Sequence, residues 1–185
     1  ATPETVVHDL FRTNRNHFAA IESAAESFYD GETVAPDETY SYLKARLNSR
    51  LGIKVRTVAV ADLPGTLRYY DQSARELLLS ETLDYPNRLF QLTHMIGLLE
   101  YAETIDAIIS ANKIQGQREQ ARCRVELANY FTAAVLMPYD AFITEARSSR
   151  YDLDHLAARF GVSFEQACHR VTTLQREGNT GVPFF

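Results

Sequence analysis

Apolar residues recur at every third or fourth position along most of this chain, which is the spacing of amphipathic helices. Prolines and glycines beside these stretches mark helix boundaries. The pattern predicts helices over residues 4–29, from Pro36 to Gly52, from Pro86 to about Ala111, over 117–136 and over 139–148, with two short helices between 152 and 175. Ser163 is the residue type that caps the second of these short helices at its N-terminus.

The helical spacing stops between residues 53 and 81, where β-branched and aromatic residues alternate with polar ones. Three runs, Val55–Ala61, Leu67–Tyr70 and Ala74–Ser80, are separated by turn signals at Pro64-Gly65 and Asp71-Gln72-Ser73. Short turns between successive strands favour an antiparallel meander. The sequence therefore predicts an α+β fold that is mostly helical and contains a small three-stranded antiparallel sheet.

Length and charge limit what such a domain does. The chain has 185 residues, enough for one domain, and a formal net charge of −5 from 19 Lys and Arg against 24 Asp and Glu. An acidic balance disfavours a domain whose whole task is to grip nucleic acid, because such domains present a basic face. The sequence has no apolar run of membrane-spanning length, and its two cysteines are too few for a disulfide scaffold. We expect a cytoplasmic protein.

The pattern divides the chain into three parts. Residues 1–35 are predicted to form an N-terminal helical segment that serves as the interface of a homo-oligomer. Residues 36–176 are predicted to form the main domain, and residues 177–185 the start of a linker. The apolar end at Phe184 and Phe185 leads us to expect a piece excised from a longer protein.

Candidate chemistry centres on His94, which lies in an apolar helical stretch directly after the predicted sheet. Zinc peptidases carry His-Glu-x-x-His at such a place, with two imidazoles that bind the metal and a glutamate that acts as general base. Here Met95 occupies the position of the glutamate and Leu98 that of the second histidine. One imidazole cannot hold catalytic zinc and a thioether cannot take a proton from water, so we predict neither metal nor hydrolysis.

Three segments in order give the chain a resemblance to a known family. Residues 90–99 resemble the active helix of the ImmA/IrrE-type metallopeptidase domain with its catalytic residues replaced. Residues 125–138 resemble that family's second signature helix, and residues 151–171 resemble its closing helical pair. The resemblance covers roughly residues 36–176 and implies a zincin-like arrangement. The family's third metal ligand is a glutamate near Glu126, but without a second histidine that role is not carried over.

Degenerate domains of this kind resemble the central domain of the PrpR/RamB-type short-chain fatty acyl regulators, and residues 15–18 fit that group. The resemblance implies a transcription factor of propionate and short-chain fatty acid metabolism. Its central domain would sense coenzyme A (CoA) or a short-chain acyl-CoA, and a separate N-terminal domain would bind DNA. An iron–sulfur cluster would belong to a C-terminal region outside this chain. We therefore expect a non-enzyme without metal, bound to DNA only through another domain.

The residues themselves give limited support for such a ligand. CoA requires cations for its phosphates, an aromatic side chain for its base and an apolar slot for the acyl group. Replacement of the metal ligands would leave an apolar slot beside His94. Residues with suitable side chains lie around the strands and the His94 helix: Arg46, Arg50, Lys54, Arg68, Tyr69, Arg88, His94, Tyr101 and Tyr130.

These features also have simpler interpretations. His94 fits a buried histidine hydrogen-bonded to a strand carbonyl, and cations at 46–56 are typical of the C-terminus of a helix. Residues 156–174 imitate a DNA-reading helix-turn-helix, but the second helix holds a single arginine, which favours structural packing. For the whole chain, the alternatives are a zinc-free pseudo-peptidase that acts as a protein interaction module, or an active metallopeptidase with other ligands.

Overall fold

The computed structural model describes residues 1–182 as helices arranged around a small sheet. The helices are α1 (Pro3–Thr13), α2 (Ala19–Glu26), α3 (Thr39–Leu51), α4 (Tyr85–Glu100), α5 (Ala102–Ala111), α6 (Gln117–Leu136), α7 (Tyr139–Ser148), α8 (Leu153–Phe160) and α9 (Phe164–Val171). The strands are β1 (Lys54–Val58), β2 (Arg68–Asp71), β3 (Glu76–Ser80), β4 (Gln175–Arg176) and β5 (Asn179–Thr180). The apolar end at Phe184 and Phe185 lies outside the described residues.

The prediction of an antiparallel sheet is wrong, because the sheet is mixed. Its strand order is β1-β3-β2, with β1 parallel to β3 and β2 antiparallel to β3. The turn at Asp71 makes a hairpin, since its carboxylate accepts hydrogen bonds from the Ala74 amide (3.1 Å) and the Ser73 hydroxyl (2.9 Å). Residues 59–67, by contrast, cross one end of the sheet instead of forming a tight turn, so β3 inserts between the two earlier strands. The zincin-like arrangement stays a prediction.

Two of the predicted long helices are each divided into two. The first is interrupted between α1 and α2, where Arg15 and Asn16 both take φ of 55°. The Leu10 carbonyl accepts from both the backbone amide (3.2 Å) and the side chain (2.8 Å) of Asn14, which ends α1. The second is interrupted at Tyr101, whose φ of −108° and ψ of 23° separate α4 from α5. Ser163 caps α9 as predicted, and it forms a reciprocal capping box with Gln166.

Two hydrophobic cores lie side by side in the described residues. The first core is built from α1 to α6 and the sheet, and it includes Leu47, Leu79, Ile96 and Phe131. The second core is built from α7 to α9 and the end of α6. The β4–β5 hairpin, which the pattern did not predict, follows α9 and falls partly in the predicted linker of residues 177–185. No helix within residues 1–182 is both long and apolar enough to cross a membrane.

The predicted interface segment, residues 1–35, takes part in the first core. Leu10, Phe18, Ile21 and Phe28 are all buried there, against side chains of the same chain. The apolar stripe from which an interface was predicted therefore packs against the first core of the same chain. An oligomeric contact made by the other faces of α1 and α2 stays a prediction.

Candidate functional site

Helix α4 carries His94 and begins at a local capping signal. Asp84 precedes the helix, and its carboxylate accepts a hydrogen bond from the Asn87 amide (3.1 Å). Pro86 occupies the first turn, where its missing N–H costs nothing. The helix then runs through the first core and approaches α6 closely at Gly97, where an added Cβ would lie 2.7 Å from the Phe131 ring. The close approach brings His94 to the backbone of α6.

His94 is buried, with 4% of its surface exposed, and both ring nitrogens are hydrogen-bonded. The Arg68 Nη1 group lies 2.9 Å from Nδ1, and the Val125 carbonyl oxygen lies 3.2 Å from Nε2. A guanidinium can only donate, so Nδ1 accepts and Nε2 carries the hydrogen that goes to Val125. Burial, followed by the charge of Arg68, lowers the pKa of His94 to about 4. The imidazole is therefore neutral near pH 7.

The carbonyl that His94 contacts belongs to helix α6 and not to a strand. The simpler interpretation of His94 as a buried, hydrogen-bonded histidine fits the structure in burial, but its expected partner was wrong. The partner differs because α6 packs closely against α4 and places the Val125 carbonyl beside Nε2. Glu126, the next residue, pairs with Arg122 (3.2 Å) and accepts from Asn129 (3.3 Å).

Arg68 is a partly buried cation with neutral partners. It lies on β2, and Nη1 contacts the Gln91 carbonyl oxygen (3.5 Å) in addition to His94. None of the ion pairs within residues 1–182 involves Arg68. Burial lowers the pKa of its guanidinium, which nevertheless stays charged at any physiological pH. A desolvated guanidinium without a carboxylate favours an anionic ligand.

Met95 and Leu98, at the positions where zinc peptidases carry the glutamate and the second histidine, are apolar and packed. Met95 is buried in the first core, and Leu98 packs against it. Within residues 1–182, no three His, Cys, Asp or Glu side chains lie close enough together to hold a metal ion. The residues around His94 can therefore offer a guanidinium, a neutral imidazole and an apolar wall, which are groups that bind an anion or an apolar chain.

A second predicted group meets at Glu100. Arg46 is buried and donates from Nε to the Glu100 carboxylate (3.2 Å) and from Nη2 to the Tyr101 hydroxyl (2.9 Å). Arg50 reaches the same carboxylate (3.2 Å) from a more exposed position. The guanidinium of Arg46 also lies 3.8 Å from the centre of the Phe28 ring. Arg46, Arg50 and Tyr101 are thus brought together, but the charge of Arg46 is already matched inside the protein.

The other predicted residues lie apart from both groups. Lys54 and Tyr69 are exposed, and they lie on the two edge strands of the sheet. Arg88 donates to the carbonyls of Leu83 (2.9 Å) and Glu81 (3.3 Å) and so fixes the loop before α4. Tyr130 is buried on α6 and donates its hydroxyl to Glu22 (2.6 Å), and burial raises its pKa.

The sequence pattern missed the pair formed by Glu22 of α2 and Arg170 of α9. Both side chains are buried, and two hydrogen bonds of 2.8 and 2.9 Å join them. A signal was present in the sequence, because Arg170 interrupts the apolar stripe formed by Ala167, Val171 and Leu174. A cation on such a stripe requires a buried acidic partner. The partner itself lies 148 positions away and has no local signal.

The fold and site together define a mostly helical α+β domain with a small mixed sheet and a single buried histidine on the helix that follows it. The chain belongs to the family of IrrE N-terminal-like domains, whose model matches residues 48–172. The class predicted from the His94 helix and its two companion segments is thereby confirmed.

The relatives with known names are regulators. A propionyl-CoA carboxylase regulator of Cereibacter sphaeroides is 33% identical over 184 residues, which cover 100% of this chain and 38% of that protein. The HTH-type transcriptional regulators RamB and PrpR of Mycobacterium tuberculosis are 31% and 33% identical, and the matches cover 98% and 99% of this chain. The chain spans 38% and 37% of the length of those two proteins.

A solved structure has the same fold. The structure, a Mycobacterium tuberculosis transcriptional regulator, superposes with a TM-score of 0.90 at 31% identity. The match covers 98% of this chain and 55% of that one. Nearly all of the described elements therefore have counterparts in a regulator of known structure.

Proposed function

We propose that this chain is the ligand-sensing domain of a transcriptional regulator of propionate and short-chain fatty acid metabolism. Its ligand is CoA or a short-chain acyl-CoA, and DNA is bound through another domain. The names of the relatives support the regulatory role. The observation that carries the proposal of an anionic ligand is Arg68, a partly buried guanidinium whose side-chain contacts are a neutral imidazole and a carbonyl oxygen.

A phosphate group of the ligand binds Arg68 in this proposal. The guanidinium exchanges a hydrogen bond to a neutral imidazole for hydrogen bonds to an anion, in which donor and acceptor carry opposite charges. His94 stays neutral and keeps its bond to the Val125 carbonyl, so the exchange leaves no buried charge unpaired. Leu98 and Val125, both partly exposed, supply apolar surface next to the same imidazole for the acyl arm.

The remaining predicted ligand residues fall into two groups, those engaged with partners inside the protein and those available to a ligand. Arg46 is neutralised by Glu100, so in this proposal it supports the site and does not contact phosphate. Lys54 and Arg88 carry charges that no carboxylate within residues 1–182 neutralises, and they are available for the other phosphates of CoA. Arg50, by contrast, shares the Glu100 carboxylate with Arg46. Tyr69 is exposed but lies on the face of β2 opposite to Arg68, so it does not stack on the adenine of a ligand bound at Arg68. Tyr101 and Tyr130 are engaged with neighbouring side chains.

Isothermal titration calorimetry with acetyl-CoA and propionyl-CoA tests the proposal. Arg68→Gln should weaken binding by about 10- to 100-fold, because a hydrogen bond to a charged group contributes about 1.5–3 kcal/mol. Arg56→Gln is the matched control, since Arg56 lies on β1, is exposed and pairs with Glu76 (2.8 Å). It should bind like the wild type. Absence of heat at millimolar ligand, or equal losses in the two variants, would contradict the proposal.

An interaction module is the second candidate, and exposed apolar side chains at the start of β2 favour it. Leu67 and Tyr69 are 51% and 43% exposed, and they lie on the face of the strand opposite to Arg68. Sedimentation velocity of the chain and of a Leu67→Ser, Tyr69→Ser variant tests self-association at this face. A smaller mass for the variant supports a homo-oligomer, and a monomer at every concentration excludes one formed by this chain.

A further inference from the structure

The C-terminal unit, which we define as residues 139–181, has a hydrophobic core of its own. Its buried residues, including Phe142, Leu156 and Leu174, belong to the second core, whereas α1 to α5 and the sheet build the first. Leu136, at the end of α6, packs against both cores. Met137 and Pro138 form the link, and Met137 leaves the helical region with φ of −130° and ψ of 73°. The unit is therefore joined to the rest through one backbone link and one seam.

A polar contact holds that seam together. Arg170 is completely buried and binds both carboxylate oxygens of Glu22, at 2.8 and 2.9 Å. Its Nε group also donates to the Met137 carbonyl oxygen at 3.0 Å. One side chain of α9 therefore holds α2 and the link between α6 and α7 at the same time. Outside this contact, Arg176 reaches Glu26 (2.9 Å) and Gln166 reaches Asn87 (3.3 Å) from more exposed positions.

Two clefts border the seam. One, of about 620 Å³, is lined by α1, α6 and α9 and includes Phe11 and Thr173. The other, of about 450 Å³, lies between α2 and the β4–β5 hairpin and includes Ser23 and Arg176. Apolar burial is the main force that holds packed elements together. Because the clefts interrupt that burial on both sides of the buried ion pair, the pair is a central contact between α2 and α9.

We propose that the C-terminal unit opens as one cooperative unit while the rest of the domain stays folded, with the Glu22–Arg170 ion pair as its latch and residues 137–138 as its boundary. A bidentate ion pair is directional, so it holds one arrangement and loses most of its energy once the two helices move apart. The buried side chains of the second core come from the unit itself and from the end of α6, so opening disrupts that core and its helices together and leaves the first core intact. The opening requires no ligand and is independent of the proposed CoA site.

Native-state hydrogen exchange of the whole chain in low denaturant tests the opening. In the wild type, amides of α8 and α9 should share one opening free energy that is lower than that of the amides of α3, α4 and α6. Glu22→Gln should accelerate exchange in α8 and α9 on the order of 100-fold, because it leaves a buried charge unpaired. Ile96→Val, in the first core, should accelerate exchange in α3, α4 and α6 and leave α8 and α9 unchanged.

Two results would overturn the proposal. One is a single opening free energy for all helices, and the other is an Ile96→Val variant that accelerates α8 and α9 as much as α4. If Glu22→Gln does not fold, Thr173→Val replaces it, since Thr173 accepts a 2.9 Å hydrogen bond from Arg170. Loss of that bond should accelerate exchange in α8 and α9 by roughly 5- to 10-fold. No acceleration in this variant counts against the latch.

Discussion

His94 shows how much of a site can be predicted from a short motif. The sequence predicts that His94 lies on a helix after the sheet. It also shows apolar residues at the next position and one turn later, at Met95 and Leu98. The two hydrogen-bond partners of His94 could not be predicted, because Arg68 and Val125 are 26 and 31 positions away and reach it only through tertiary packing. The motif therefore predicts the chemistry of positions 94, 95 and 98, whereas the fold was needed to identify the hydrogen-bond partners of His94.

The buried imidazole should make the stability of the domain depend on pH. His94 has a pKa of 6.5 when unfolded and about 4 when folded, so between these values the unfolded chain binds a proton that the folded chain excludes. The free energy of unfolding therefore falls as the pH falls, by about 1.4 kcal/mol per pH unit and about 3 kcal/mol in total from this residue. Urea denaturation at pH 7 and pH 4.5 measures the loss.

His94→Gln is the comparison for this measurement. The glutamine amide can still donate to the Val125 carbonyl but does not titrate, so the variant should be less stable at pH 7 and should lose less stability on acidification. His17, whose pKa burial also lowers, contributes the same trend in both proteins and cancels in the difference. Equal losses in the two proteins would show that His94 takes up its proton without cost.

Among the elements, the helices were predicted from periodicity and the strand order was not. Each helix carries its own apolar stripe, so α3, α6 and α7 lie close to where the spacing places them. The order β1-β3-β2 depends on the path of residues 59–67. A turn signal at Pro64-Gly65 does not show whether β2 pairs directly with β1 or lies one strand away and leaves room for β3 between them. The breaks at residues 14–18 and at Tyr101 likewise interrupt an apolar stripe that continues across them.

The contact between α4 and α6 depends on a glycine. A Cβ at position 97 would lie 2.7 Å from the Phe131 ring, whose own position is fixed in the first core. Gly97→Ala should therefore separate the helices and destabilise the domain by about 1–3 kcal/mol, although alanine is the better helix former. Thermal unfolding followed by circular dichroism gives the change.

Gly181→Ala tests whether the loss in Gly97→Ala comes from the helix contact. Gly181 is also tightly packed, since an added Cβ would lie 2.8 Å from Leu174, but it lies after the β4–β5 hairpin. Only the position 97 variant should also disturb the hydrogen bond between His94 and Val125, which lies one turn earlier on the same face. An increase in stability in Gly97→Ala would show that α4 and α6 can move apart freely.

At the scale of the whole molecule, the α2–α9 pair joins parts of the chain that no local pattern connects. Burial alone would raise the pKa of Glu22. The hydrogen bonds and charge of Arg170 lower it by more than burial raises it, so the pKa of Glu22 lies below its ordinary value. The pair therefore adds stability at neutral pH, and that stability is lost as the pH falls below about 4.5. A buried ion pair of this kind is costly to break at one end, yet an apolar pair of similar volume can replace it.

This property gives a prediction that separates the pair from simple packing. Glu22→Leu and Arg170→Met each leave one buried charge without its partner, and each should cost about 3–5 kcal/mol in urea denaturation. The double variant removes both charges and should recover most of that loss, with a residual cost because the Tyr130 hydroxyl loses Glu22 as its acceptor and keeps only the bond it accepts from the Phe18 amide (3.1 Å). Additive losses would mean that the two side chains act independently. Recovery of stability would mean that apolar side chains at these two positions can stabilise the contact between α2 and α9 as well as the ion pair does. The role of the pair would then be to set the orientation of α9 against α2.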